Sequence, residues 1–489
     1  MRSPIVHRLG DDFSMPHAFD ALHSLKGCLW FDSASRGPEL EPGGDHAGRY
    51  SFLCADPIKK MVAYVGDENP WPRLKRWCDA MPKSRIPDLP PFQGGMAGLW
   101  GYEAGTWLEP VGCSRIDDLP TPAISVGIYD WVICHDRLQS QAWLVSWGFG
   151  SERFEPNQQR AIARAEQVLA RLENVDHLSP EPQFQTGQAE DLSIPPLNAL
   201  ATTYETHWPR VWSNFSSSQY RTAIESIIES IRNGDSFQVN LAQRLLTRAQ
   251  GPSAQLMQKL RSTNAAPFAG YYDGDSFQVI SSSPEGFLRL RDGIVQTRPI
   301  KGTAARTGDE IVDRRLATEL LQSDKDRAEN VMIVDLMRND LSRVCEDDSV
   351  RVNQLCGIER YAHVQHLVSV VEGKLRHDVG AIDLLAACFP GGSITGAPKI
   401  EAMRTISALE PTRRGPYCGS LGYISTTGDA EFNILIRSIT STQGWWQIPV
   451  GGGITLGSDP ELEERETWVK AEGMLRAIVN ATSEIRTRQ

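Results

Sequence analysis

Short runs of β-branched and aromatic residues, each cut off by Gly, Pro or Asp, recur in both halves of this chain. In the first half they read KKMVAYV, GLWGYEAG, AISVGIYDWVICHD and QAWLVSWGF, within residues 50–150. In the second they read SFQVNLAQRLL, FAGYYDG, FQVISSS, FLRLRDG and IVQTRPI, many separated by Asp-Gly turns. Helical patterns are interspersed, but βαβ alternations are few, which argues for an α+β fold with antiparallel sheets. Residues 155–173 space their apolar positions helically, and Ile224, Ile227, Ile228 and Ile231 recur at i, i+3, i+4, i+7 before Asn233-Gly234 stops the helix. Further helices are expected at 310–322, 325–339, 380–388, 397–408 and 459–480. Between the halves, 174–215 is rich in Pro, Gln, Ser and Asn and holds no sustained period, so it reads as a linker. The expected division is 1–175, a linker at 176–215, and 216–489.

A formal net charge of −11 argues against a nucleic-acid partner, which usually meets a basic surface. It leaves an anionic small molecule open, because local donors outweigh the global sign. The nine cysteines form no CxxC pair and no cluster at zinc spacing, a pattern that suits free thiols in a reducing compartment. His7, Arg8 and two aspartates interrupt the N-terminus, so no signal-peptide core is read there, and no apolar run is long enough to span a bilayer. A cytoplasmic protein without membrane partners is expected.

Several segments hold chemistry-bearing residues. The glycine clusters GGSITGAPK (391–399) and GGGITLGS (451–458) match neither nucleotide-binding pattern. They are tight turns or, through freed backbone N–H groups, concave anion sites. On the helix at 459–480, Glu463, Glu466 and Lys470 share one side, beside an apolar face of Trp468, Ala471, Met474, Leu475 and Ile478. Glu466 and Lys470 read as a surface i, i+4 pair or as the border of a carboxylate row for a hard divalent cation. Glu329 precedes the almost wholly apolar 331–337, and at the core's edge needs Arg327, Arg338, a metal or another donor. Lys301, after the strand-like IVQTRPI, is a solvated strand-end lysine or, if buried, a nucleophile or base. Glu285 in SSSPEGF offers a carboxylic acid to pair with it. His366 in HVQHLVSVV is a satisfied core histidine or a site residue, and Arg437 in NILIRSI calls for a carboxylate from protein or ligand.

Together these segments resemble the chorismate-utilising enzymes: the large subunits of anthranilate and aminodeoxychorismate synthases, with isochorismate and salicylate synthases more distant. GDSFQVNLAQR, SSSPEGFL, TRPIKGT, DRAENVMIVDLMRND, HLVS, FPGGSITGAPKIEAM, YCGSLGY and GGGI…ERETWVK stand in the family's order, and PFQGGMAGLWGYE and GIYDW extend the likeness into the first half. The resemblance implies four layers, two facing antiparallel sheets flanked by helices, with a family-like N-terminal region before the linker and a chorismate-binding catalytic domain after it. It implies Mg²⁺ at Glu329 and Glu466 with Glu463 close by. It also implies substrate contacts from Thr395, Gly396, Tyr417, Arg437, Gly452, Gly453 and Lys470, His366 beside the ring, and Glu285 as general acid. Family members with lysine in PI-Lys-GT make the 4-amino isomer and those with threonine make anthranilate. Lys301 therefore implies a covalent adduct at C2 and a 4-amino-4-deoxychorismate product for 4-aminobenzoate and folate, anthranilate being the alternative. The likeness breaks at Gly286, where the family usually carries arginine, and a lost ion pair there would loosen the strand carrying Glu285. CLWFDSAS (28–35) matches the family's tryptophan-sensing motif only loosely, so tryptophan inhibition is not expected. No cysteine elbow or His-x-Glu of a fused glutaminase is read, so the resemblance implies ammonia from a separate glutamine amidotransferase subunit.

Overall fold

The computed structural model describes residues 3–33, 48–173, 194–361 and 364–487. A 13-stranded sheet begins β1 (Ile5–Arg8), β8 (Gln141–Ser146), β7 (Trp131–Asp136), β3 (Tyr50–Cys54), β2 (Leu29–Asp32), β12 (Phe268–Asp273). It continues β13 (Phe277–Ser283), β22 (Ser438–Thr442), β23 (Trp445–Ile454), β11 (Gln238–Arg248), β10 (Trp212–Ser213), β9 (Tyr204–Glu205), with β19 (Gly396–Ala397) also on β11. A 10-stranded sheet runs β16 (Ile300–Ala305), β18 (Val364–Lys374), β15 (Ile294–Thr297), β14 (Gly286–Arg291), β21 (Ala430–Asn433). It ends β20 (Ser420–Ser425), β5 (Gly95–Trp100), β6 (Ile124–Tyr129), β4 (Lys59–Ala63), with β17 (Arg351–Arg360) on β18. Every strand pairing within the two sheets is antiparallel, as the hairpin pattern predicts.

Two cores make this a four-layer α+β fold. One lies between the sheets and joins Phe52 and Tyr272 of the first to Trp100, Tyr129 and Tyr423 of the second. The other packs the first sheet, through Trp30, Ile280 and Ile448, against α1 (Met15–Leu22), α3 (Gln158–Glu173), α5 (Ser253–Thr263) and α10 (Pro460–Thr487). On the second sheet lie α6 (Glu310–Gln322) and α7 (Asp324–Ser342), with α8 (Ala381–Cys388) joining α7 to α2 (Trp71–Ala80). Beside β11 pack α4 (Ser217–Arg232) and α9 (Lys399–Leu409). Local chemistry starts α4: Ser216 Oγ accepts the Gln219 N–H at 3.2 Å while Gln219 Oε1 accepts the Ser216 N–H at 3.1 Å. On α10, Ala471, Met474, Leu475 and Ile478 are buried as the wheel predicts, with Trp468 packed at their margin. Burying each larger side chain stabilises by about 1.5–3 kcal/mol, against a few tenths for exposed pairs such as Arg476–Glu472, so the apolar face holds the helix.

The chain changes sheet once inside a run that reads continuously and once between two runs that read as separate. Residues 123–136 split at Asp130 into β6 of one sheet and β7 of the other, and β13 passes to β14 through Pro284-Glu285. Pro284 has no N–H to extend a ladder, so Glu285 falls at the seam between the sheets. Within the expected linker, residues 204–213 carry β9 and β10 on the first sheet's edge, while 176–193 lie outside the described residues. Among the described residues no helix is long and apolar enough to cross a membrane.

Candidate active site

Pro299 separates β15 from β16, so Lys301 is the second residue of a new strand. The register of β16 on β18 shifts between Lys301 and Thr303, and Gly302 takes the extra place at φ 72°. A Cβ at Gly302 would stand 2.7 Å from Leu320 and 3.0 Å from Asp326, so the bulge requires glycine. Beyond it Thr303 lies opposite His366, and Thr303 Oγ1 and His366 Nδ1 share a hydrogen bond of 2.9 Å. Burial pushes the His366 imidazole down to about 4, so it is neutral at pH 7.

Glu285 is buried at the sheet crossing, and Ser393 Oγ donates to its Oε1 at 2.7 Å. Burial raises its carboxyl above the ordinary range, with Ser393 and the Lys301 charge opposing. The position after it, Gly286, where the resemblance leads one to expect arginine, has its side-chain space taken. A Cβ on Gly286 would stand 2.6 Å from the Phe268 ring, so that ring already fills the place of a side chain there. Asn433, paired with Gly286 across the sheet, donates through Nδ2 to the Phe268 carbonyl at 3.0 Å.

Three carboxylates face the same region from α7 and α10. Burial raises the Glu329 carboxyl, with Lys301 and Lys325 moderating it and Asp326 and Glu463 adding to the rise. Neither expected arginine neutralises it: Arg327 donates to the Leu321 carbonyl and Arg338 pairs with Asp335. Helix α7 buries only one face, Asn330, Ile333, Val334 and Met337, and leaves Val331 46% exposed despite the apolar run. Glu463 is buried, accepts from Ser458 Oγ at 2.6 Å and meets Lys325 Nζ at 3.5 Å. Glu466 pairs with Lys470 at 2.7 Å. Burial works to raise the Glu466 carboxyl, but Lys470, Lys325 and Lys301 outweigh it and hold it below the usual range. Lys470 also donates to the Gly451 carbonyl at 2.8 Å, which makes it part of the glycine strand's wall rather than a free surface charge.

Among the described residues no three His, Cys, Asp or Glu side chains are already gathered for a metal ion. Magnesium takes one or two carboxylates and completes its shell with substrate oxygens and water, so a preassembled triad is not required. Oxygen-only donors, and a Glu329 carboxyl whose charged form is disfavoured chiefly by burial and further by neighbouring carboxylates, fit such a hard cation.

The remaining expected residues combine a half-buried arginine and a buried tyrosine with close-packed glycines. Arg437 holds a positive φ of 51°, is half-buried, and forms no ion pair among the described residues. Burial lowers its guanidinium from the ordinary value, opposed by Tyr417 and Glu466. Tyr417 is buried, with its hydroxyl pushed well up by desolvation. Gly452 would place a Cβ 3.3 Å from Glu463 Oε2 and 3.6 Å from Lys470 Nζ, and Gly453 would place one 2.4 Å from Gln238 Nε2. Gly396, at φ 140°, approaches the Gln238 carbonyl so closely that a Cβ would stand 2.1 Å away. Thr395 donates its hydroxyl to the Gly391 carbonyl at 2.9 Å and so shapes the turn. The Lys301 charge acts on Glu285, Glu329 and Glu466, and Arg437 acts on His366, which ties both halves of this set into one site. Sequence reasoning missed Gln238, Ser393 and Lys325. Gln238 is fully buried with both amide atoms lacking a protein partner among the described residues, and a polar residue in an apolar strand was its signal.

A family model described as chorismate binding enzyme matches residues 28–476. Aminodeoxychorismate synthase component 1 of Salmonella typhimurium is 35% identical over 446 residues, 88% of this chain and 90% of that protein. Anthranilate synthase component 1 of a Synechocystis species is 36% identical over 496 aligned positions, 92% of each chain. The crystal structure of anthranilate synthase component I from Streptococcus pneumoniae superposes with a TM-score of 0.70 at 28% identity, over 97% of this chain and 99% of that one. The chain belongs to the family of chorismate binding enzymes.

Proposed function

We propose that this chain converts chorismate and ammonia to 4-amino-4-deoxychorismate, as the large subunit of an aminodeoxychorismate synthase. The observation that carries this reading is Lys301, fixed by a glycine bulge and electrostatically coupled to the buried acid Glu285. The reaction needs the Lys301 amine free to attack and the Glu285 carboxyl protonated. The Glu285 carboxyl then protonates the C4 hydroxyl, which departs as water. The Lys301 Nζ electron pair bonds to C2 as both ring double bonds shift toward C4, and the adduct nitrogen returns its proton to Glu285. Ammonia next bonds to C4, both double bonds shift back, the C2–N bond breaks, and the spare proton of the added ammonium passes to the departing Lys301 nitrogen. The sum is chorismate plus ammonia giving the 4-amino product plus water.

Glu329 and Glu466, with Glu463 beside them, would hold Mg²⁺, which when bound supplies positive charge to the ring carboxylate. Neutral His366 stands beside the ring without adding charge. The "component 1" in the relatives' names supports a second subunit, and we assign it the role of glutamine amidotransferase delivering ammonia. Nine unpaired cysteines suit a cytoplasmic setting, where the product would feed 4-aminobenzoate and folate synthesis.

Arg437 holds a substrate carboxylate. Arg437→Gln raises KM for chorismate by about 10–100-fold, the worth of a charge-assisted hydrogen bond, while Tm stays put because no protein carboxylate loses its partner. Gly453→Ala drives a methyl into Gln238 and raises KM on the order of tenfold, consistent with an overpacking cost of about 1–3 kcal/mol. Steady-state kinetics with thermal melts checks both. The reading itself is tested by incubating the chain with chorismate, Mg²⁺ and excess ammonium and resolving products by mass and retention time. The expected product is 4-amino-4-deoxychorismate. Anthranilate with pyruvate would instead place the chain with its anthranilate synthase relatives.

A further inference from the structure

The Glu285 main chain is fixed on both sides: its N–H donates to Ser283 Oγ at 3.2 Å and its carbonyl accepts the Ile434 N–H at 3.0 Å. Neither contact orients the carboxyl. That falls to Ser393, whose hydroxyl donates to Oε1 at 2.7 Å. Ser393 rides on the short turn Gly392–Ile394, which is wedged in place. A Cβ on Gly391 would stand 2.8 Å from Ile434, and one on Gly392 would stand 2.4 Å from Leu336 and 2.8 Å from Met337 of α7. Beyond the turn, Arg414 Nη1 donates to the Ile394 carbonyl at 3.0 Å, and Arg414 is itself anchored by buried Glu410. The hydroxyl is therefore a rigid donor, set at a fixed distance from a buried acid.

We propose that Ser393 is the positioning residue of the general acid, its hydroxyl occupying Oε1 so that the transferable proton resides on Oε2. This rests on the reading of Glu285 as the acid. A carboxyl with both oxygens unengaged would carry its proton on either one, and only one placement serves the departing hydroxyl. Ser393 also favours the ionised form of Glu285, so its removal raises the acid's pKa further.

The test compares Ser393→Ala, Ser393→Thr and Glu285→Gln in full chorismate kinetics with ammonium across pH. Ser393→Ala is expected to lose about tenfold in kcat with KM for chorismate unchanged, the worth of about one hydrogen bond. Because the acid works protonated, activity falls as pH rises through its pKa, and in Ser393→Ala that fall moves to higher pH. Ser393→Thr, which keeps a hydroxyl, retains the parent rate and limb. A Ser393→Ala enzyme with unchanged kcat and an unmoved limb overturns the proposal while Glu285→Gln is inactive. So does a loss of kcat with the limb in place that threonine does not restore. An active Glu285→Gln enzyme removes the acid reading and this inference together.

Discussion

Lys301→Ala lowers formation of 4-amino-4-deoxychorismate on the order of 10³-fold or more, with chorismate binding changed only a few-fold. The size follows from the two tasks Lys301 performs. Its amine opens the route through C2, and the same nitrogen is the group that ammonia displaces. Electrostatics alone would not explain the loss, and Lys301→Arg separates the two contributions. Arginine keeps the positive charge felt by Glu285, Glu329 and Glu466 but offers no nucleophilic amine. The arginine variant is therefore as inactive as the alanine variant. A purely electrostatic lysine would leave the arginine variant within about tenfold of the parent, as expected for a retained charge.

Glu285→Gln lowers kcat by about 10²–10⁴-fold, the usual contribution of a positioned acid. Glutamine keeps the shape and accepts from Ser393, but has no proton to give to the C4 hydroxyl. In the parent enzyme burial raises the Glu285 carboxyl, which keeps the acid protonated to higher pH than an exposed glutamate. Activity accordingly declines as pH rises through that raised value, and the decline disappears from the residual rate of Glu285→Gln. His366 adds no ionisation near neutrality, since its imidazole is held down to about 4. A pH–rate series on the two proteins reads both effects.

What was legible in the chain depended on whether the cause was local. The apolar stripe of α10 and the isoleucine spacing of α4 are satisfied within one helix, so periodicity places them within a few residues of where they lie. The antiparallel class was likewise legible from turn chemistry. The crossing at Asp130 was not, because a continuous apolar run looks the same whether its two halves join one sheet or two. Lys301 was read as the tail of IVQTRPI, whereas Pro299 ends that run, a new strand starts at Ile300 and Gly302 supplies its bulge. The Glu466–Lys470 pair forms as i, i+4 spacing predicts, yet Lys470 also donates to the Gly451 carbonyl, 19 positions away in sequence. Ser393 reaches Glu285 across 108 positions, and Phe268 fills the space above Gly286, contacts that only the folded sheets create. Here the family likeness named the site residues, while the fold shows what holds each one.

The most direct test of the covalent account is the intact mass of the chain after incubation with chorismate and Mg²⁺ without ammonia, followed by peptide mapping. The account predicts a fraction heavier by chorismate less one water, mapped to Lys301, that returns to the parent mass when ammonium is added and releases the 4-amino product. A chain that stays unmodified under those conditions, yet makes 4-amino-4-deoxychorismate at full rate once ammonium is present, would contradict it.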